Sequence, residues 1–299
     1  MRASLDNLAL RARAMAAIRH WFGGRGYLEV ETPVRIAAPA PEPHIDCPRS
    51  GDAWLRASPE LQMKRLMAAG AGKIFQIGPC FRAGERGRLH AEEFTMLEWY
   101  RRGADALGIL DETKALLRQT ALEATGSTVI RYRGSQCDLA ADWRVVTVRE
   151  AYLRHAGWDP LENFDQDRFD EDMALKVEPA LPKDAPCVLY GYPRQAASLA
   201  RLSPEDARVA ERWELYLCGI EVANAFCELA DGAEQRRRFE EARRERHALG
   251  EDYYPLDEGF LGDLERGEFP PCGGIAVGID RLAMLLCGAD SIAEVMAAW

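Results

Sequence analysis

A single α+β domain is what the sequence predicts, and three observations carry that expectation. Helix-like and strand-like patterns alternate along all 299 residues with no internal repeat and no linker. Two apolar segments flank a stretch rich in Gly, Arg and Glu between Lys73 and Tyr100, the pattern of an antiparallel hairpin with a long tip. The composition, 47% hydrophobic with 29% charged and 9% aromatic residues, suits a chain that buries a sizeable core.

The elements follow in order. Leu8, Met15, Ile18 and Phe22 share one helical face and Gly23-Gly24 supplies a stop, which predicts an amphipathic opening helix. Tyr27-Leu28-Glu29-Val30-Glu31 alternates before Pro33 and reads as a strand ending at the proline. Residues 38–48 are proline-rich and read as a loop, and residues 54–57 as a short strand. Ser58-Pro59-Glu60 opens a helix that runs to Gly70, with Ser at the N-cap, Pro at N1 and Glu at the positive helix end. The hairpin strands are 73–77 and 94–100. Residues 105–125 read as a surface helix, 145–148 and 187–192 as strands, and 149–156 as a helix. Residues 234–249 are highly charged and read as a solvated surface helix.

Composition excludes several functions. No run of 18 apolar residues exists, so no transmembrane helix is expected. The segment from Met1 to Leu10 carries Arg2, Asp6 and Asn7 and lacks an apolar signal core, so a cytoplasmic protein is expected. The eight cysteines contain no C-x-x-C pair and read as buried free thiols. Five histidines with no H-E-x-x-H give no Cys/His metal site. The acidic run 165–172 lacks the Gly and Glu that a calcium loop needs at its sixth and twelfth positions. A net charge of −10 argues against a broad nucleic-acid face.

Three segments carry chemistry. The hairpin tip places Arg82 where a strand ends, and guanidinium geometry suits a phosphate. In Gly219-Ile220-Glu221-Val222-Ala223-Asn224-Ala225-Phe226-Cys227-Glu228, Asn224 and Glu228 are four apart on one strand face. Glu221 joins them only if a bulge lies between Glu221 and Asn224. Two inward carboxylates there could share a divalent cation, and oxygen ligands point to Mg²⁺. In Gly273-Gly274-Ile275-Ala276-Val277-Gly278-Ile279-Asp280-Arg281, Arg281 opens the last helix, where the helix dipole disfavours a cation, so it is a candidate for meeting an anion.

Together these segments resemble the class II aminoacyl-tRNA synthetases: motif 1 at about residues 15–35, motif 2 at about 73–101 and motif 3 at about 273–287. Ser58-Pro59-Glu60-Leu61, Met63-Lys64-Arg65-Leu66, Glu93 to Tyr100, Ala197-Ser198-Leu199-Ala200, Arg208 to Arg212 and Gly219 to Glu228 resemble lysyl-tRNA synthetase. They resemble still more its short paralogues, which ligate (R)-β-lysine to elongation factor P. The resemblance implies an antiparallel sheet flanked by helices, a single catalytic domain over residues 1–299, no anticodon-binding OB domain, and a homodimer formed through motif 1. It implies ATP as a substrate, Mg²⁺ as cofactor, and elongation factor P rather than tRNA as acceptor.

By the same resemblance Arg82, Arg281, Glu221 and Glu228 are catalytic, with Arg82 on the α-phosphate and Arg281 on the γ-phosphate. Ala83, Gly84, Glu85, His90, Ala91 and Phe94 of the hairpin, with Glu221, Val222 and Gly278, bind ATP, Phe94 stacking on adenine. Ser58, Pro59, Glu60, Tyr100, Asn224, Glu228 and Ala276 bind the amino acid, and Glu221 and Glu228 hold the metal. Lysyl-tRNA synthetases carry Gly where this chain has Ala276, and the added methyl reshapes the amino-acid pocket toward β-lysine. Relatives carry Asn and Glu in the tip where this chain has Ala83, Gly84 and Ala91; either Glu85, with a shifted tip, or backbone groups are expected to stand in. Charging of tRNA or another small acceptor, and a non-catalytic amino-acid or nucleotide sensor, are the alternative functions.

Overall fold

The computed structural model describes residues 3–297; Met1, Arg2, Ala298 and Trp299 lie outside the described residues. Its strands are β1 (Leu28–Glu29), β2 (Arg35–Ile36), β3 (Arg49–Ser50), β4 (Ala53–Leu55), β5 (Lys73–Phe81), β6 (Glu93–Arg102) and β7 (Val129–Tyr132). They continue with β8 (Ser135–Asp138), β9 (Arg144–Thr147), β10 (Cys187–Pro193), β11 (Val209–Leu217), β12 (Ile220–Cys227) and β13 (Cys272–Gly278). The helices are α1 (Leu5–Gly23), α2 (Glu60–Ala68), α3 (Ala106–Thr125), α4 (Val148–His155), α5 (Gln166–Asp172), α6 (Glu178–Ala180), α7 (Gly232–Leu249), α8 (Glu258–Glu265) and α9 (Ile279–Cys287).

Eight strands form one sheet in the order β1-β5-β6-β13-β12-β11-β10-β9. The six inner strands are antiparallel, as expected, but each edge strand pairs parallel, β1 with β5 and β9 with β10. Alternation sorts the side chains. Leu97 and Trp99 of β6, Ile275 and Val277 of β13, and Ala223 and Ala225 of β12 join the core shared with α1, α3 and α9. The even-numbered residues of β6 and β13 therefore face the other way.

Phe22 fixes the first helix to this layer. It stacks on Phe75 at 4.4 Å between ring centroids and meets Trp99 edge-on at 5.3 Å. The expected amphipathic face includes Ile18 and Phe22, and it also buries Ala14, Ala17 and Trp21, so small residues carry part of the seam. Gly24 caps this helix as expected.

Several expectations change. The strand at 27–31 shrinks to the two exposed residues of β1, because only one edge of β5 is free to pair with it. The helix over 105–125 is not a surface helix: Ile109, Leu110, Leu116 and Leu117 are in the main core. The charged helix α7 buries Gln235, Phe239 and Arg246. Pro59, not Ser58, occupies the cap position of α2, although Ser58 Oγ still accepts from the Glu60 N–H at 2.9 Å. The acidic run at 165–172 is α5, with Asp165 capping it.

Gly273 shows how closely α3 sits on the sheet. A Cβ there would lie 2.6 Å from Ile109 Cγ1 and 3.1 Å from the Asp105 carbonyl oxygen. Gly273→Ala is expected to lose about 1–3 kcal/mol of stability through overpacking, read from urea denaturation midpoints.

Candidate active site

The floor of the site is two rows of cross-strand neighbours. Register places Gln76, Glu98, Ala276, Asn224 and Glu214 side by side across β5, β6, β13, β12 and β11. One step along lie Ile74, Tyr100, Gly274, Phe226 and Arg212. Both rows face away from the core that α1, α3 and α9 share, and a cavity of about 380 Å³ opens above their β6, β13, β12 and β11 members. The bulge on which Glu221's place depends is present: Leu215 pairs with Ala223 but Tyr216 pairs with Glu221, leaving Val222 as the extra residue. That extra residue turns Glu221 onto the cavity side, beside Asn224.

Gly274 keeps this floor low. A Cβ at this position would fall well inside van der Waals contact of Glu228 Oε1 and the Tyr100 ring. Its absence lets both side chains lie over β13.

At one end of the cavity is a cluster of buried charge. Lys64, 1% exposed, places Nζ 2.5 Å from Glu60 Oε1, one helical turn away on α2, and 2.6 Å from Glu228 Oε2. Glu228 Oε1 has no hydrogen-bond partner. Burial alone would lower the Lys64 pKa, but Glu228 and Glu60 outweigh it and hold the ammonium above its ordinary range. Burial raises Glu228 to about 7 against the pull of Lys64. Glu98 lies beside them, accepting from Tyr100 Oη at 3.1 Å, and burial with Glu60 pushes it to about 8.

The other end is built on the hairpin tip and α9. Arg281 donates to the Leu89 carbonyl, to the Glu221 carbonyl at 3.0 Å, to Glu221 Oε2 at 3.2 Å and to His90 Nε2 at 2.8 Å. Burial and the Arg281 charge lower the His90 pKa, which keeps the ring a neutral acceptor. Arg82 lies over the Phe94 ring at 5.2 Å and 3.5 Å from Glu85, and its Nε has no partner. Phe94 and Glu85 both line the cavity beside Arg82.

Of the expected site residues, Ser58, Glu60, Arg82, Glu85, His90, Ala91, Phe94, Tyr100, Glu221, Val222, Asn224, Glu228, Ala276, Gly278 and Arg281 all line this cavity. Pro59, Ala83 and Gly84 do not. Pro59 shapes the start of α2, Ala83 N–H donates to the Asp46 carbonyl, and Gly84 turns with φ +77 while its N–H donates to Glu92.

Glu221 and Glu228, expected to share one cation, both line the cavity. Glu228 is engaged by Lys64, whereas the carboxylates that act on Glu221 are Glu214 and Glu178. Among the described residues no group of three or more His, Cys, Asp or Glu side chains converges as a metal site.

Sequence reasoning missed Glu98, Glu214, Arg212, Lys64 and Glu42, all of which line the cavity or brace it. Glu98 was recoverable, being two residues from Tyr100 on the same strand face. Glu214 required β11, which the sequence reading did not predict. It is held by Arg212 at 2.6 Å and by the hydroxyls of Tyr192 and Tyr216. Glu42 sits in the 38–48 loop, where no periodicity points it inward.

An antiparallel sheet with two arginines at one end of a cavity and a cluster of buried carboxylates at the other is the arrangement of an adenylate-forming synthetase core. The chain belongs to the class II tRNA synthetase family: the profile described as tRNA synthetases class II (D, K and N) matches residues 2–297. It is 42% identical to the elongation factor P–(R)-beta-lysine ligase of Klebsiella pneumoniae subsp. pneumoniae and 39% identical to the proteins of that name from Hamiltonella defensa and Yersinia enterocolitica. Each alignment covers 99% of this chain and 95% of the relative. No helix among the described residues is long and apolar enough to cross a membrane.

Lys64→Met is expected to strand Glu228 and Glu60 without a counter-ion and to cost about 3–5 kcal/mol at pH 8. The loss shrinks below pH 6, where Glu228 takes up a proton, and chemical denaturation at the two pH values reads the difference.

Proposed function

We propose that this chain activates (R)-β-lysine with ATP and transfers it to a lysine ε-amine of elongation factor P. The observation that carries this reading is the charge of the pocket. Glu60, Glu98 and Glu228 with Lys64 sum to −2 when all are ionised, which matches an amino acid with two ammonium groups. The names of the full-length relatives agree with it.

In the first step a carboxylate oxygen of β-lysine attacks the α-phosphorus of ATP, and the bond to pyrophosphate breaks. Arg82, with its free Nε, meets the carboxylate and α-phosphate, and Arg281 meets the γ-phosphate once its contact to Glu221 yields. Phe94, on the cavity wall, stacks on adenine, and Tyr100 and Asn224 flank the amino groups. Ala276, cross-strand from Glu98 and Asn224, narrows the floor between them. Catalysis here is positioning plus charge neutralisation.

Glu221 and Glu228, oxygen donors on the cavity wall, would hold a hard divalent cation such as Mg²⁺. Bound there, the ion supplies positive charge against the triphosphate. The chain acts as one catalytic domain in the cytoplasm and pairs as a homodimer through α1 and β1, where Leu5 and Leu28 are exposed.

Incubation with ATP, Mg²⁺, (R)-β-lysine and elongation factor P is expected to add one lysyl unit to the intact mass of the acceptor, more with β-lysine than with α-lysine. Charged tRNA with an unmodified protein would overturn the proposal. A second outcome follows from the raised carboxylates. A dication binds their ionised forms, so β-lysine affinity rises at least about tenfold from pH 6 to pH 8 as Glu228 and Glu98 lose protons. Calorimetry in two buffers reads the protons released.

A further inference from the structure

A second cavity, about 400 Å³, adjoins the first and shares Glu42, Ser198, Arg212, Glu214 and Glu221 with it. Its remaining walls come from the 38–48 loop, α5, the turn after β10 and α7. Six carboxylates line it against two arginines, Arg212 and Arg238, so it favours a cation over a phosphate. On its α7 wall Gln235 is 1% exposed, and both its amide oxygen and its amide nitrogen lack a hydrogen-bond partner. A buried amide left unused is costly, and an arriving polar group would satisfy it.

Glu42 stands at the junction of the two cavities. Arg246 holds its backbone, donating to the carbonyls of Glu42 and Ile45 at 2.9 Å each. The carboxylate makes no ion pair among the described residues; its one polar contact is the Ser198 hydroxyl at 3.5 Å. The groups that face it are Glu60 and Lys64 from α2, Arg82 from the hairpin tip, Arg212 from β11, and Ser198. Burial and Glu60 push its pKa up, opposed by Arg82, Arg212 and Lys64. It therefore lies between the arginine assigned to the reacting carboxylate and an open passage lined with negative charge.

Resting on the function proposed above, we infer that the second cavity admits the acceptor lysine of the protein substrate, and that Glu42 takes the proton from its ammonium. The neutral nitrogen then attacks the adenylate carbonyl carbon. A C–N bond forms, the bond from carbon to the phosphate oxygen breaks, and AMP leaves with the electron pair. The second nitrogen proton goes to the departing phosphate as the tetrahedral adduct collapses. Gln235 meets the acceptor's peptide groups on the way in.

The test isolates enzyme-bound β-lysyl adenylate and mixes it with elongation factor P or with hydroxylamine, whose nitrogen is already neutral at pH 7. For Glu42→Gln the ratio of lysine transfer to hydroxylamine capture is expected to fall about 10²-fold. The ratio recovers about tenfold per pH unit above pH 7 as the acceptor amine deprotonates by itself. Gln235→Leu is expected to raise the half-saturating acceptor concentration several-fold. An unchanged ratio for Glu42→Gln, or equal slowing with both acceptors, overturns the inference. A wild-type enzyme that forms no β-lysyl adenylate overturns the functional reading and this inference with it, before any variant is made.

Discussion

The ammonium of Lys64, held between Glu60 and Glu228, is the contact on which the rest of the site depends. Removing a charge from water costs several kcal/mol, and the cost is recovered only when opposite charges stand within hydrogen-bond range on more than one side. Lys64 meets that condition with two carboxylates, one on its own helix and one at the end of β12. It thereby ties α2 to the sheet and keeps two negative groups from driving each other apart. It also sets how much negative charge is left over. Three carboxylates with no lysine would hold protons or expel one member from the pocket. One lysine leaves a surplus that a diamine can balance.

The sheet provides the frame around that contact by arithmetic of register. Antiparallel pairing across β6, β13, β12 and β11 puts a polar row beside an aromatic and glycine row, and both face the same cavity. Two local departures make the frame functional. The extra residue Val222 brings Glu221 to the working face, and Gly274 leaves room for Glu228 and Tyr100 to lie flat. A regular strand with a side chain at 274 would present neither.

Much of this was legible in the chain. The hairpin and the helix starting near Ser58 follow from spacing and turn chemistry, and Arg82 and Arg281, candidates for meeting an anion, both line the cavity. What escaped is of two kinds. Glu214, Arg212 and Glu98 owe their positions to neighbours on other strands, and pairing partners are a property of the fold, not of a window of residues. Lys64 stands out only as part of a string that carries the resemblance, and Arg246 lies in a helix that reads as solvated, because a helix shows which face a residue occupies but not what is packed against that face. The helix at 106–125 was misjudged for the same reason. Its apolar stripe was visible, whereas the depth at which α1 and the sheet enclose it was not.

The 38–48 loop has neither strand nor helix of its own, yet it forms part of two cavities. What fixes it is the fully buried guanidinium of Arg246, one turn before α7 ends at Gly250. That single group binds the carbonyls of Glu42 and Ile45, the Asp46 carboxylate and the Asp252 carbonyl, and lies over the Tyr254 ring at 4.3 Å. Loop and helix end are consequently one opening unit in the native ensemble, although about 200 positions separate them in the chain. Fraying of the last turn of α7 therefore loosens the segment that walls both cavities, so their shape depends on a helix whose sequence reads as nothing but surface.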